Sequence, residues 1–224
     1  NGYNLVGHLK NSGNLGKWTN KSNIKGHFIN EGTIGELNAG NIAEYLQNSG
    51  VIQTLKQGKI TGTLNNTGTI GELNTSVINY TDGNTNTATI AGAGHYGILN
   101  IDKNTIMDNN NTITNALKVD KNNSGNGYTL TINNGGSGNG TLYFNSTSGT
   151  IDNNGTILGN IDNQASSIIK SFNTGSISGS IINNAGATIQ ELNVTGNVAN
   201  GITNNSNIGS LIVNENVSYS GSGS

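Results

Sequence analysis

Asn30-Glu31-Gly32-Thr33-Ile34-Gly35-Glu36-Leu37 returns as Asn48-Ser49-Gly50-Val51-Ile52-Gln53-Thr54-Leu55, and again as Asn66-Thr67-Gly68-Thr69-Ile70-Gly71-Glu72-Leu73, each copy 18 residues after the last. Ile24, Ile42, Ile60 and Ile78 keep the same step, as do Phe28, Leu46 and Leu64. One unit therefore carries apolar residues at offsets 0, 4, 10 and 13 and glycine at offset 8. Leu5, Leu9, Leu15 and Trp18, with Gly13, form an earlier copy, after which one extra residue between Thr19 and Asn23 resets the phase. A fixed period of this length marks a repeat architecture.

The unit reappears toward the C-terminus as Val198, Ile202, Ile208 and Leu211, and with longer turns as Ile157, Ile161, Ile169, Phe172 and as Ile177, Ile181, Ile189, Leu192. At offset 6 every copy has asparagine: Asn11, Asn30, Asn48, Asn66, Asn163, Asn183 and Asn204. Low complexity alone would not hold Asn at one phase while the turns change length. Stacked coils would set these amides above one another as a ladder. One coil buries about four side chains at roughly 1.5–3 kcal/mol each, against roughly 1–2 kcal/mol of backbone entropy per ordered residue. A single coil cannot fold, whereas stacked coils add their inward residues to one column and their backbone bonds to one another. Steps of 4, 6, 3 and 5 are unequal, unlike the equal sixes of a left-handed hexapeptide helix. The expected fold is all-β, a right-handed parallel β-helix (solenoid) with coils of about 18–21 residues.

Composition agrees. Hydrophobic residues are 32% and aromatics 5% of 224 residues, too few for one thick core. Charge is only 10%, proline is absent, and Ile, Thr, Ser and Asn dominate, which suits strands and tight turns better than disorder. A net charge of −2 and no arginine leave no footprint for nucleic acid. Lys10, Lys17, Lys21 and Lys25 read as solvated side chains on one face. Without cysteine there is no disulfide, thiolate metal site or thiol nucleophile. No apolar run of transmembrane length occurs.

The organisation reads as one continuous solenoid over 1–224: regular coils in 1–78, irregular coils with longer loops in 79–155, regular coils in 156–213, and the end of a fragment or a linker in 214–224. The middle keeps the apolar pairs Leu99/Ile101, Leu117/Val119, Leu130/Ile132 and Leu142/Phe144 between Gly- and Asn-rich turns. Two insertions, Tyr80 to Tyr96 and Asp120 to Gly127, depart from the scaffold. Loops on a rigid scaffold are where binding usually sits, so Tyr80, His95 and Tyr96 are the candidate binding residues.

Chemistry is sparse. His8 and His27 share offset 3 and should stack, but the next coils place Tyr45 and Thr63 there and no carboxylate is phased with them, so no metal site is expected. Lys17 and Glu36 at offset 12 should form a surface ion pair of little worth. Asp102, Asp108, Asp120, Asp152 and Asp162 would support polysaccharide chemistry only if three of them gathered on one face. The run Gly135 to Leu142 is similar to a calcium-binding nonapeptide but lacks its aspartate, and no Lys-Ser or Lys-Thr follows to make a phosphate loop. No catalytic residue and no cofactor is expected.

The N-x-G-x-I-x-x-L units at Asn30, Asn48 and Asn66 resemble those of bacterial autotransporter (type V secretion) passenger domains, particularly the Asn-rich ones of the Helicobacter and Campylobacter kind. The resemblance covers most of the chain and is weakest over 79–155. It implies a leader upstream, a membrane β-barrel downstream as the only membrane contact, and display on the outer membrane or release outside the cell. It also implies a non-enzymatic rod for adhesion, host-cell contact or bacterial aggregation. The partners would be a host-cell receptor, matrix, a glycan or the chain itself, or the coils would act chiefly as a scaffold whose folding helps export. A protease passenger would show a G-D-S-G-type nucleophile, which is absent. The alternative reading is a carbohydrate-active β-helix enzyme or tailspike-like depolymerase.

Overall fold

A computed structural model describes residues 5–80, 86–135 and 138–224. The chain winds through about 11 turns of a parallel β-solenoid. Each strand pairs with the equivalent strand one coil earlier and one coil later. Phe28 pairs with Leu46 and Leu46 with Leu64. Ile34, Ile52 and Ile70 pair in succession, and so do Ile24, Ile42, Ile60 and Ile78. The offsets of the repeat are thus physical columns, buried along the axis except in the end coils, where Leu5 and Leu211 are exposed. Successive coils place equivalent asparagines 18 to 21 residues apart.

One column runs through the irregular middle without a break. Leu55, Leu73, Leu99, Leu117, Ile151, Phe172, Leu192 and Leu211 pair in that order. The others adjust around it. Leu64 pairs with Ile90, beyond the insertion, and the Asp120 to Gly127 loop stands out from the next coil, closed by an antiparallel bridge between Lys121 and Gly127. The insertion after Tyr80 is shorter than its sequence suggested, because Ala88–Ala91 and His95–Ile101 are already strands. Residues 81–85 of that loop, and Gly136 and Ser137 of the glycine run, lie outside the described residues.

The coil between Leu117 and Ile151 is the longest, and there the inward column changes hands. Ile132 ends the series Leu64, Ile90, Met107, while Leu142 starts the series Ile161, Ile181, Ile202. Phe144 occupies the asparagine row, pairing with Asn163 on one side and Ile113 on the other. Strand Gly149–Leu158 crosses the expected start of the regular C-terminal coils. The stretch read as the end of a fragment or a linker carries one further strand pairing. Tyr219 and Ser220 pair with Ile202 and Thr203, and the Ser224 backbone bonds Ser206 and Ile208.

Candidate functional site

The asparagine row forms two buried ladders of one polarity. Asn11 Nδ2 donates to Asn30 Oδ1 at 2.8 Å, Asn30 to Asn48 at 2.7 Å and Asn48 to Asn66 at 2.8 Å. Farther along, Asn163 donates to Asn183 at 2.9 Å and Asn183 to Asn204 at 2.8 Å. In the first ladder Asn11, Asn30 and Asn48 also donate to a carbonyl of their own turn and to one of the next coil, as Asn48 Nδ2 does to Gly50 and Thr69, whereas Asn163, Asn183 and Asn204 reach only the next coil's carbonyl. The first ladder stops at Asn66 because the Gly94 backbone lies against its amide, leaving no room for another side chain. Asn111 serves the gap locally, accepting from the Gly94 N–H and donating to the Gly92 and Asp108 carbonyls. The second ladder ends in the Tyr219 hydroxyl, 2.8 Å from Asn204 Nδ2.

The loop candidates separate. His95 is exposed. Tyr80 is half-buried, with Lys59 Nζ 4.3 Å above its ring. Tyr96 is not a surface residue: strand alternation turns it inward between Ile70 and Ile113, and it is fully buried. Burial pushes its phenol well above the ordinary tyrosine range, with the nearby Asn66 amide opposing the shift. Sequence reasoning placed it in the loop because the enlarged turn hid its membership of the Ile34 column.

No three of the five aspartates share a partner, although Asp120 and Asp152 both flank Lys118. Asp102 accepts from the Ser76 N–H and hydroxyl at 2.7 Å each, and from the Thr75 hydroxyl at 3.2 Å. Asp108 accepts from the Gly92 N–H. Asp120 is bonded by Lys118 at 2.9 Å, which holds its carboxyl below the usual range, and Asp152 pairs in register with the same lysine. Asp162 is held by Gln164 and Asn184, and burial raises its carboxyl above the usual range. Beside Asp102, a cleft of about 310 Å³ is lined by Ser76, Asn86, Lys103, Asn104, Asn122 and Tyr128. Lys103 is buried there, donating to the Ile78 and Asn79 carbonyls, and desolvation lowers its pKa against the pull of Asp102. Neither the inward lysine nor the buried Asn111 stood out in the sequence, since each sits in a turn outside the regular repeat.

At the N-terminal end, the offset-3 column brings rings together. His8 and His27 stack with centroids 3.6 Å apart and 19° between planes, and Tyr45 continues the stack at 4.5 Å and 13°. The expectation that no carboxylate joins them needs correcting. Glu44, at offset 2 of the third coil, sets Oε2 3.3 Å from His27 Nδ1. Among the described residues this is the one group of three or more His, Cys, Asp or Glu side chains disposed to share an ion, with ligand atoms all within 4.8 Å of one another. Of the neighbouring lysines, Lys10 bonds Glu31 at 2.7 Å and Lys17 bonds Glu36 at 2.9 Å, while the Lys21 side chain lies outside the described residues. These exposed pairs add little stability.

No family model, curated protein or solved structure matches the chain.

Proposed function

We propose that the chain is part of an autotransporter passenger: an extracellular rod, displayed on a bacterial surface, that presents its flank to a host-cell receptor, matrix, a glycan or another copy of itself. The observation that carries this reading is the unbroken column from Leu55 to Leu211. About 11 turns at about 4.8 Å each give a stiff body roughly 50 Å long. Stiffness follows from construction, because each coil saturates the backbone bonds of its neighbours and shares one core with them. The flank is polar yet nearly uncharged, rich in Asn, Thr and Ser that offer paired donors and acceptors to sugars and backbone edges. Among the described residues no three of the aspartates gather within 4.8 Å of one another, which favours binding over polysaccharide cleavage. Membrane attachment would come from a β-barrel beyond this sequence. Within the described residues no helix is long and apolar enough to cross a membrane.

The test is attachment of beads coated with the purified chain to epithelial cells, immobilised matrix and a glycan array, against beads coated with an unrelated β-solenoid. Attachment or bead clumping that excess soluble chain abolishes is the expected result. Beads that neither attach nor clump overturn the reading, and release of reducing ends from a bacterial or host polysaccharide replaces it with the enzyme.

A further inference from the structure

We propose that His8, His27 and Glu44 form a binding site for a divalent transition-metal ion of the zinc class, bridging the first three coils. Three features of the repeat assemble it. The offset-3 column supplies one imidazole from each of two successive coils. Over the first four coils the offset-2 row reads Gly7, Gly26, Glu44, Gly62, so the only side chain among these four belongs to the carboxylate. Glycines on either side leave no Cβ between Glu44 and the imidazoles. The close packing that the row enforces is visible at Gly26, where an added Cβ would sit 2.6 Å from both the Gly7 carbonyl oxygen and His8 Nδ1. Tyr45 then stacks on the far face of His27 and fixes its ring plane.

The chemistry selects the ion. Two imidazoles and one carboxylate suit zinc and its neighbours, while calcium and magnesium prefer all-oxygen sets. Ligands about 2.0–2.2 Å from zinc stand on the order of 3.4 Å apart in a tetrahedron. The present ligand atoms lie within 4.8 Å, so closing onto an ion needs shifts of about 1 Å together with a tilt of the stacked rings. His8 and Glu44 are exposed and free to make them. A water would complete the fourth position. Because the three ligands come from three coils, the ion would staple this end of the solenoid and raise its resistance to fraying.

The experiment is calorimetric titration of the tag-free chain with zinc chloride, beside thermal unfolding with and without zinc. Expected are one equivalent bound in the micromolar range or tighter, a rise of several degrees in Tm, and shifts of the His8 and His27 ring resonances with those of His95 unmoved. His8→Ala and Glu44→Gln alter exposed side chains, and each should weaken binding at least about tenfold while leaving the metal-free Tm unchanged. His95→Ala is the control and should bind as the parent does. Millimolar or weaker binding overturns the site. So does an affinity that His8→Ala and Glu44→Gln leave intact, which would mean the ion is held elsewhere.

Discussion

Asn48 Nδ2 donates to Asn66 Oδ1 at 2.8 Å, yet Asn66 Nδ2 has no partner of its own. Asn163 is its mirror image, donating to Asn183 while its Oδ1 accepts from nothing. The two orphaned atoms are the donor end of one ladder and the acceptor end of the next. Between them Tyr96 and Phe144 have entered the fold where the repeat is interrupted. The ladder's direction therefore decides which atom is left unpaired at each break.

That direction makes the rungs unequal. Asn48→Ala strips the buried Asn66 oxygen of its donor and removes the Gly50 and Thr69 caps, and should cost about 2–3 kcal/mol. Asn66→Ala leaves the Asn48 amide bonded to two carbonyls and removes an already unpaired N–H, so its cost should be lower by about 1 kcal/mol. Urea unfolding of both variants checks this, and equal losses would show that ladder polarity does not govern stability.

The Tyr96 hydroxyl is buried beside Asn66 without closing a hydrogen bond. Tyr96→Phe keeps the ring between Ile70 and Ile113 and deletes only the unpaired oxygen. The variant should be as stable as the parent or up to about 2 kcal/mol more so. A loss above about 1 kcal/mol would mean that the hydroxyl does bond Asn66 in solution.

The solenoid was legible because its physics is repetitive. An 18-residue period with Asn fixed at offset 6 specifies both the inward columns and the ladder, and the regular coils obey it residue by residue. Tyr96 was not legible, since eight further residues of turn hid its place after Ile70 in the offset-10 column. Phe144 was hidden likewise: Leu142/Phe144 looks like an ordinary strand pair, and only three-dimensional register puts the phenyl ring in an asparagine row. Glu44 was missed for a different reason. Stacking was sought along one offset, whereas a glutamate one residue away reaches across the glycine row to the coil before it.

Glycine at offset 8 carries a positional prediction. A Cβ on Gly50 would run into the Gly32 carbonyl oxygen, and one on Gly68 into that of Gly50, because these backbones stack in contact. Gly13 has the same local sequence role but no heavy atom within 4 Å of its added Cβ. Gly50→Ala should destabilise by at least about 2 kcal/mol through backbone displacement, and Gly13→Ala by no more than about 0.5 kcal/mol. Similar midpoints for the two would place the glycine requirement in local conformation and not in coil stacking.

Asp162 gives the pH dependence. Burial is the main cause of its raised pKa, and the amides of Gln164 and Asn184, both bonded to Oδ1, only partly offset it. A carboxyl whose folded pKa lies above the unfolded one binds its proton more tightly when folded, so the desolvation cost is present in full at neutral pH. That cost is relieved as pH falls through the raised value and is gone below the unfolded value of 3.8. Asp162→Asn keeps an oxygen for both amides and removes the charge. Its Tm should equal or exceed the parent's at pH 7, and the difference should move in the parent's favour as pH is lowered toward 4. Thermal unfolding of the pair across that range decides it: a gap that stays constant, or that moves in the variant's favour on acidification, would mean the Asp162 carboxylate is solvated well enough to carry no cost.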